Sequence, residues 1–101
     1  MEEGLVTASL TPLRIMEKTL EAMDLQEELL EKGSVLALSD VGVGIKLLDA
    51  ALQGASLNVF INTGMMKNQE RAAELKKQAE AMIAAGSAKA GRVFREVRER
   101  L

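Results

Sequence analysis

The sequence contains no cysteine, histidine, tyrosine or tryptophan. Without cysteine there is no disulfide and no thiolate chemistry. Without histidine, the Ser-His-Asp and Cys-His arrangements of nucleophilic catalysis and the common histidine-based zinc sites are excluded. Any acid–base chemistry must therefore come from Asp, Glu or Lys side chains, with help from Ser, Thr, Asn and the backbone.

Aromatic residues are almost absent, since Phe60 and Phe94 are the only two. A protein that binds single-stranded nucleic acid usually stacks bases on aromatic side chains, so this class of function is disfavoured and no nucleic-acid partner is expected. Hydrophobic residues nevertheless make up 48% of the chain. The sequence predicts a core of aliphatic, alanine and methionine side chains.

Long uninterrupted apolar runs are also missing. The most apolar stretch, residues 39–62, is interrupted by Lys46, Asp49 and Gln53, which argues against a membrane span. The first twelve residues are acidic and lack the apolar segment of a signal peptide. We therefore expect a cytoplasmic protein with no membrane partner.

Charge is distributed unevenly along the chain, whose net charge is −2. Residues 1–40 carry nine acids and three bases, whereas residues 41–101 carry six acids and ten bases. One interpretation is that an acidic first helix packs beside a basic last helix. The alternative is that Lys67, Lys76, Lys77 or the C-terminal arginines attract an anionic ligand.

Apolar residues recur every three or four positions and predict an all-α fold with three long helices, over about 11–32, 39–62 and 66–85 or beyond. Thr11 and Pro12 are typical of a helix start, and Gly33 of a helix end. Residues 33–38 are predicted to connect the first two helices. The last stretch, 90–101, is either a short docking helix or a continuation of the third helix.

The central stretch, residues 39–62, is predicted to be the central helix of the fold. Ser39 and Asp40 are residue types that cap helix N-termini, and Thr63-Gly64 is a plausible stop. When the residues are placed at 100° intervals, one side reads as solvent-facing. Its members are Lys46, Asp49, Gln53 and Ser56.

The opposite side of this helix combines small and polar side chains: Asp40, Gly44, Leu47, Ala51, Gly54, Ala55, Asn58 and Asn62. Small side chains let another backbone approach closely, so we expect this face to pack helix on helix, partly between chains. Asn58 and Asn62 are neighbours on the helix surface, and buried amides need partners. They either bond across a helix interface or face a polar ligand.

The length of the central helix bears on assembly. About 24 helical residues extend roughly 36 Å. A compact domain of about 100 residues has a radius of gyration of only about 13 Å. Such a long helix in a monomer would leave much of its apolar surface in water, so the sequence predicts a homo-oligomer, a dimer or higher.

The string SDVGVG at 39–44, followed by LNVFIN at 57–62, resembles the formiminotetrahydrofolate cyclodeaminase and methenyltetrahydrofolate cyclohydrolase family. The similarity extends backwards to the string TPLRI at 11–15 and, more weakly, forwards into 67–85. It therefore covers most of residues 11–85. The pairing of the two motifs in register is the specific part of the resemblance.

The resemblance implies an all-helical fold that forms an intertwined dimer, and a tetrahydrofolate derivative as substrate with no metal. Family members release ammonia from the formimino group of tetrahydrofolate or hydrolyse the methenyl derivative. Both reactions need proton transfer at the one-carbon bridge and stabilisation of a charged intermediate. By transfer from the motif, Asp40 is the candidate catalytic carboxylate, and Ser39, Asn58 and Asn62 are candidate substrate contacts.

The chain differs from the family in one respect. Family members carry a Gly/Ala/Ser-rich helical portion ahead of this region, and residues 1–10 do not resemble it. The chain, a single helical domain over 1–101, thus resembles the C-terminal half of the family domain. It is a subunit of a split enzyme whose second subunit supplies the other half, a reduced relative, or a fragment.

Two functions remain open from the sequence. The first is a component of a folate one-carbon enzyme of the cyclodeaminase or cyclohydrolase type. The second is a non-catalytic helical assembly or partner-binding protein that keeps the family scaffold. The residues do not indicate which one-carbon reaction would be catalysed.

Overall fold

The computed structural model describes residues 1–33 and 37–101. These residues form three helices, α1 (Glu2–Lys32), α2 (Leu38–Gly64) and α3 (Gln69–Arg100), and no strand. The predicted all-α class and the number of helices are confirmed. Residues 34–36, which belong to the predicted 33–38 connector, lie outside the described residues. The bundle is elongated, with extents of 51 × 17 × 15 Å.

Helix α1 begins at Glu2, so the prediction that it starts at Thr11 was wrong. Pro12 lies inside the helix. The residues before it are helical because Leu5 and Ser9 are buried against the other helices, and tertiary packing outweighs the local start signal. The Glu2 carboxylate also accepts hydrogen bonds from the backbone N–H groups of Lys67 and Asn68, at 2.9 and 2.8 Å.

Helix α2 follows an N-cap at Ala37, so Ser39 and Asp40 lie inside its first turn and do not cap it. The helix begins earlier than predicted because Leu38 is buried in the core. The helix continues through Gly64, two residues past the predicted end at 62, and Gly64 does not adopt a left-handed backbone. Gly33 ends α1 as predicted, but with an extended backbone of φ −77° and ψ 158° rather than a left-handed one.

Helix α3 runs without a break through Gly86 and Gly91, so the C-terminal stretch continues the third helix. Asn68 caps it, because its side-chain oxygen accepts the Arg71 N–H at 3.0 Å. Gly86 is buried where the helix passes Leu52 of α2 and Leu20 of α1. The absence of a side chain at Gly86 therefore allows the three helices to pack closely. The sequence alone had indicated only that this glycine weakens the helix.

The core is aliphatic and rich in methionine, as the sequence predicts. Both phenylalanines are only partly buried and pack at its edge. Each fully buried aliphatic side chain contributes on the order of 1.5–3 kcal/mol through removal of apolar surface from water. The largest fully buried side chains are Met16, Met23, Leu30, Ile45, Leu52, Leu75, Val59 and Val93.

The acidic first helix packs beside the basic last helix, as predicted. Lys89 pairs with Asp24 and lies 3.6 Å from Glu27, and Arg92 pairs with Glu27 at 2.8 Å. Arg92 hydrogen-bonds to the Glu27 carboxylate and lowers the pKa of that group. Asp24 likewise raises the pKa of Lys89. The earlier residue of α1, Asp24, pairs with the earlier residue of α3, Lys89, and the later residue Glu27 pairs with the later residue Arg92. Helices α1 and α3 are therefore parallel, and α2, which lies between them in the chain, is antiparallel to both.

No helix within residues 1–33 and 37–101 is both long and apolar enough to cross a membrane.

Candidate functional site

The orientation of α2 about its axis differs in part from the sequence prediction: Lys46 and Gln53 are exposed as predicted, whereas two other residues of that side are not. Ser56, predicted to face solvent, is 3% exposed, and its hydroxyl donates to the Gln53 carbonyl at 2.6 Å. Asp49 is half-buried and accepts a hydrogen bond from the Ser87 hydroxyl of α3 at 2.8 Å. Polar side chains on this side are satisfied by the helix itself or by α3, so their polarity did not indicate exposure.

The side of α2 that points away from α1 and α3 is apolar and exposed. We call it the outer face of α2 and define it as Val43, Leu47, Ala50, Gly54, Leu57, Ile61 and Met65. Its five large side chains are 54–66% exposed. Gly54 has open space where a Cβ would be, whereas Gly44 packs on the Gln26 side chain of α1. The predicted helix-on-helix packing therefore holds within the chain at Gly44 and not at Gly54.

Ser39 and Asp40 are both exposed in the first turn of α2. The N–H groups at a helix N-terminus and the helix dipole favour negative charge there. The Asp40 carboxylate is thus an accessible anion on the rim of the outer face.

The two predicted amides differ in their surroundings. Asn62 is half-buried, and its side-chain Nδ2 donates to the Ala8 carbonyl of α1 at 3.0 Å. Proline has no N–H, so Pro12 leaves the carbonyl four residues earlier, that of Ala8, without its helical donor. Asn62 supplies the missing donor. Asn58, one turn earlier on α2, is exposed.

A single chain does not bring the predicted site residues together. Asp40 and Asn58 are 18 residues apart on one helix, which corresponds to a distance of roughly 27 Å along the axis. Asp40 and Asn62 are 22 residues apart, which corresponds to roughly 33 Å. Asp40 and the two amides therefore lie near opposite ends of α2. One small molecule cannot contact Asp40 and Asn62 of the same chain.

An apolar groove between α1 and α2 has a volume of about 450 Å³. Two cations, Arg14 and Lys18, stand at its rim, and Ile15 and Leu48 provide apolar walls. Grooves that combine apolar walls with a few charged groups suit flat anionic molecules. Its lining residues are Thr11, Arg14, Ile15, Lys18, Thr19, Ala22 and Leu48.

Sequence analysis did not single out Arg14 and Lys18 as functional residues. A signal was present, because they are two of only three cations among the first 40 residues and are spaced four apart on one helix face. None of Ser39, Asp40, Asn58 and Asn62 lines the groove.

Comparison with known proteins shows to which family the chain belongs. The sequence model of the formiminotransferase-cyclodeaminase family matches residues 1–81. The chain belongs to this family. The matched range contains both SDVGVG and LNVFIN and confirms the resemblance carried by those motifs, and it begins ten residues before the resemblance at TPLRI.

A curated relative, the methenyltetrahydrofolate cyclohydrolase of Methylorubrum extorquens, is 32% identical over 101 residues. The alignment covers all of this chain and 49% of the relative. The chain thus spans about half the length of this relative and corresponds to its C-terminal half.

Proposed function

We propose that this chain is a component of a folate one-carbon enzyme of the cyclodeaminase or cyclohydrolase type, acting on a tetrahydrofolate derivative. The observation that carries the proposal is the family match over residues 1–81. The named activity of the relative, a methenyltetrahydrofolate cyclohydrolase, supports it. The assignment of one reaction or the other is left to experiment.

The proposed chemistry needs a proton carrier and an anion near a cationic one-carbon bridge. Asp40 meets both needs, since a carboxylate at the exposed N-terminal turn of α2 is accessible to a ligand. Asn58 offers a free amide for orienting a ligand, and Asn62 retains its amide oxygen as an acceptor while its nitrogen serves Ala8. Because both lie roughly 27–33 Å from Asp40 along the same helix, they would not contact the same ligand molecule as the Asp40 of their own chain. Ser39 adds a hydroxyl beside Asp40.

We propose that the groove between α1 and α2 holds the part of the folate remote from the reacting bridge. The cations Arg14 and Lys18 would attract the carboxylates of a folate tail, and the walls formed by Ile15 and Leu48 would cover an aromatic ring. This places binding energy away from the reacting atoms, where it serves to position them.

The length of the chain sets an expectation for the test. Because the chain corresponds to about half of the relative, we expect it to be weakly active or inactive alone toward formimino- and methenyl-tetrahydrofolate. Adding a polypeptide that corresponds to the N-terminal half of the relative should restore turnover. The measurements are the absorbance of the methenyl compound and the release of ammonia.

The two proposed functions differ in their outcomes. Folate binding by the chain, or by the reconstituted pair, supports the enzymatic proposal. Absence of folate binding in every combination, with all chains folded, would instead support a non-catalytic assembly protein.

A further inference from the structure

A glutamine of α1 packs against the bare backbone of α2 at Gly44. A Cβ added at Gly44 would lie 3.1 Å from Gln26 Oε1 and 3.2 Å from both Gln26 Cδ and Gln26 Nε2. The whole amide group of Gln26 therefore occupies the space that a side chain at residue 44 would otherwise fill.

This position brings the Gln26 amide close to Asp40. Residue 44 follows Asp40 by one helical turn, and the Cβ positions of two residues four apart on a helix are about 5–6 Å apart. In projection the two positions differ by about 40°, so both lie on the same side of α2. The Asp40 carboxylate is exposed there. One small molecule can therefore contact the amide and the carboxylate together.

The Gln26 amide is available to such a molecule. Within residues 1–33 and 37–101 it forms no hydrogen bond to another residue, and no buried side-chain nitrogen or oxygen there lacks a partner. Water therefore reaches the amide of this half-buried side chain. An apolar side chain of similar size would pack on Gly44 equally well, so packing alone does not account for a donor and acceptor at this place.

The contact between Gln26 and Gly44 lies between the α1–α2 groove and Asp40. Ala22 lines the groove and precedes Gln26 by one turn, whereas Leu48 lines the opposite wall and follows Gly44 by one turn. The rise along α2 from Leu48 to Asp40 is eight residues, roughly 12 Å. A molecule that is held in the groove and reaches Asp40 therefore passes the Gln26 amide.

We propose that Gln26 is a substrate-contacting residue of the folate site, where its amide and the Asp40 carboxylate together hold the small molecule that enters or leaves at the one-carbon bridge. The inference rests on the proposed function. The small molecule is water when the methenyl derivative is hydrolysed and ammonia when the formimino group is released. Both donate and accept hydrogen bonds, so a neighbouring amide and carboxylate suit either of them.

This role has a kinetic signature that a packing role lacks. A residue that orients the small reactant, and not the folate, lowers kcat when it is removed and leaves KM for the folate nearly unchanged. A residue that only packs on Gly44 would change the stability of the chain and leave kcat of the folded enzyme unchanged.

Gln26→Leu removes the amide and keeps a side chain of similar size. In the enzyme reconstituted with the other half, kcat for methenyltetrahydrofolate should fall about tenfold, as for the loss of one orienting hydrogen bond. KM should stay within about twofold of wild type. Gln78→Leu, at an exposed position of α3, is the matched control and should behave as wild type. Unchanged kcat in Gln26→Leu, or a higher KM with unchanged kcat, would overturn the proposal.

Gly44→Ala tests whether the position of the amide matters. The new methyl group would lie 3.1–3.2 Å from the end of Gln26, so the amide must move away. Alanine favours a helix, so the variant should remain folded while kcat falls. In the Gln26→Leu background the same change should have little further effect, because the amide is already absent. Gly91→Ala, where a Cβ meets open space, controls for the added methyl group.

Equal losses of kcat from Gly44→Ala in both backgrounds would show that residue 44 acts independently of the glutamine. That result would overturn the proposed contact even if the chain binds folate. The comparison therefore separates a displaced amide from a general disturbance of α2.

The side-chain amide of Gln26 also provides a readout that does not depend on turnover. Its NMR signals are identified by their loss in Gln26→Leu. A saturating equilibrium mixture of methenyl- and formyltetrahydrofolate, added to the form that binds it, should shift these signals and leave those of Gln78 in place. Bound folate with unshifted Gln26 signals would overturn this inference and leave the proposed function intact. Absence of both folate binding and turnover in every wild-type form would overturn the proposed function itself.

Discussion

The side-chain amide of Asn62 donates a hydrogen bond to the Ala8 carbonyl at 3.0 Å, and this carbonyl is the one that Pro12 leaves without a donor in α1. A proline inside a long helix is costly in part because a backbone oxygen loses its partner. Here the neighbouring helix replaces that partner. The contact explains how α1 continues through Pro12 and ties the first helix to the second.

This relationship predicts different costs for the two amides. Asn62→Ala should lower the free energy of unfolding by about 0.5–1.5 kcal/mol, the net value of an intramolecular hydrogen bond, because water can reach the exposed Ala8 carbonyl once the amide is removed. Asn58→Ala, at an exposed position, should change it by less than about 0.5 kcal/mol. Urea unfolding followed by circular dichroism measures both. An equal loss in the two variants would contradict the assignment.

Pro12 provides an internal control for the same contact. Pro12→Ala restores a backbone N–H for the Ala8 carbonyl, so Asn62→Ala should cost less in that background than in wild type. The difference is the coupling energy of a double-mutant cycle, and contacting residues typically give about 0.5–3 kcal/mol. A coupling energy of zero would mean that Asn62 stabilises the chain by some other route.

Gly86 and Gly91 should respond in opposite ways to alanine. A methyl group on Gly86 would overlap Leu52 Cδ2 and lie 2.9 Å from Leu20 Cδ2, whereas a methyl group on Gly91 meets nothing within 4 Å. Gly91→Ala should stabilise the chain by up to about 1 kcal/mol through helix propensity. Gly86→Ala gains the same propensity but overpacks the core, at a cost of about 1–3 kcal/mol.

Thermal unfolding of the two variants beside wild type provides the measurement. We expect the melting temperature of Gly91→Ala to rise above that of wild type and that of Gly86→Ala to fall below it. Similar increases in both variants would show that Leu52 and Leu20 move aside at little cost.

The ion pairs between α1 and α3 predict a dependence of stability on pH. Because Arg92 and Lys89 lower the pKa of Glu27 in the folded chain, the unfolded chain binds the proton more tightly. The contribution of Glu27 is therefore complete above its ordinary pKa of about 4.5 and is lost as the pH falls through the lower, folded value. Stability should decrease as the solution is acidified in this range.

Glu27→Gln isolates this contribution. At pH 7 and low salt it should cost about 0.5–1 kcal/mol, since the pair is only partly shielded from water, and the acid-dependent loss should become smaller. Glu21→Gln is the matched control, because its partner Lys18 lies on the same helix and both side chains are about 70% exposed. The two variants should be compared by urea unfolding at pH 7 and pH 4. Equal responses would contradict the role of Glu27.

Asp40→Asn separates chemistry from folding. The substitution keeps the size of the side chain and removes its charge at an exposed position, so the unfolding curve should change little. In an enzyme reconstituted with the other half, turnover should fall by about 10²-fold or more, as for a positioned acid–base group. The assay follows the methenyl compound by absorbance. Unchanged turnover would remove Asp40 from the mechanism.

Local features of the sequence were sufficient to predict the number of helices, their apolar repeats, the end of α1 at Gly33 and, to within two residues, the end of α2. These depend on periodicity and on residue-specific backbone preferences, which act over a few residues. The starts at Thr11 and Ser39 were wrong for the same reason. A good local start signal does not stop a helix when earlier residues such as Leu5 and Leu38 can be buried.

The sequence by itself determined the all-α class, the family carried by SDVGVG and LNVFIN, and the attraction between an acidic first and a basic last helix. Only the tertiary structure decided which side of α2 is buried. Ser56 and Asp49 find hydrogen-bond partners inside the bundle, while Leu47 and Ile61 remain in solvent. A helical projection gives relative angles only, and the direction of the core is set by the contacts of all three helices together.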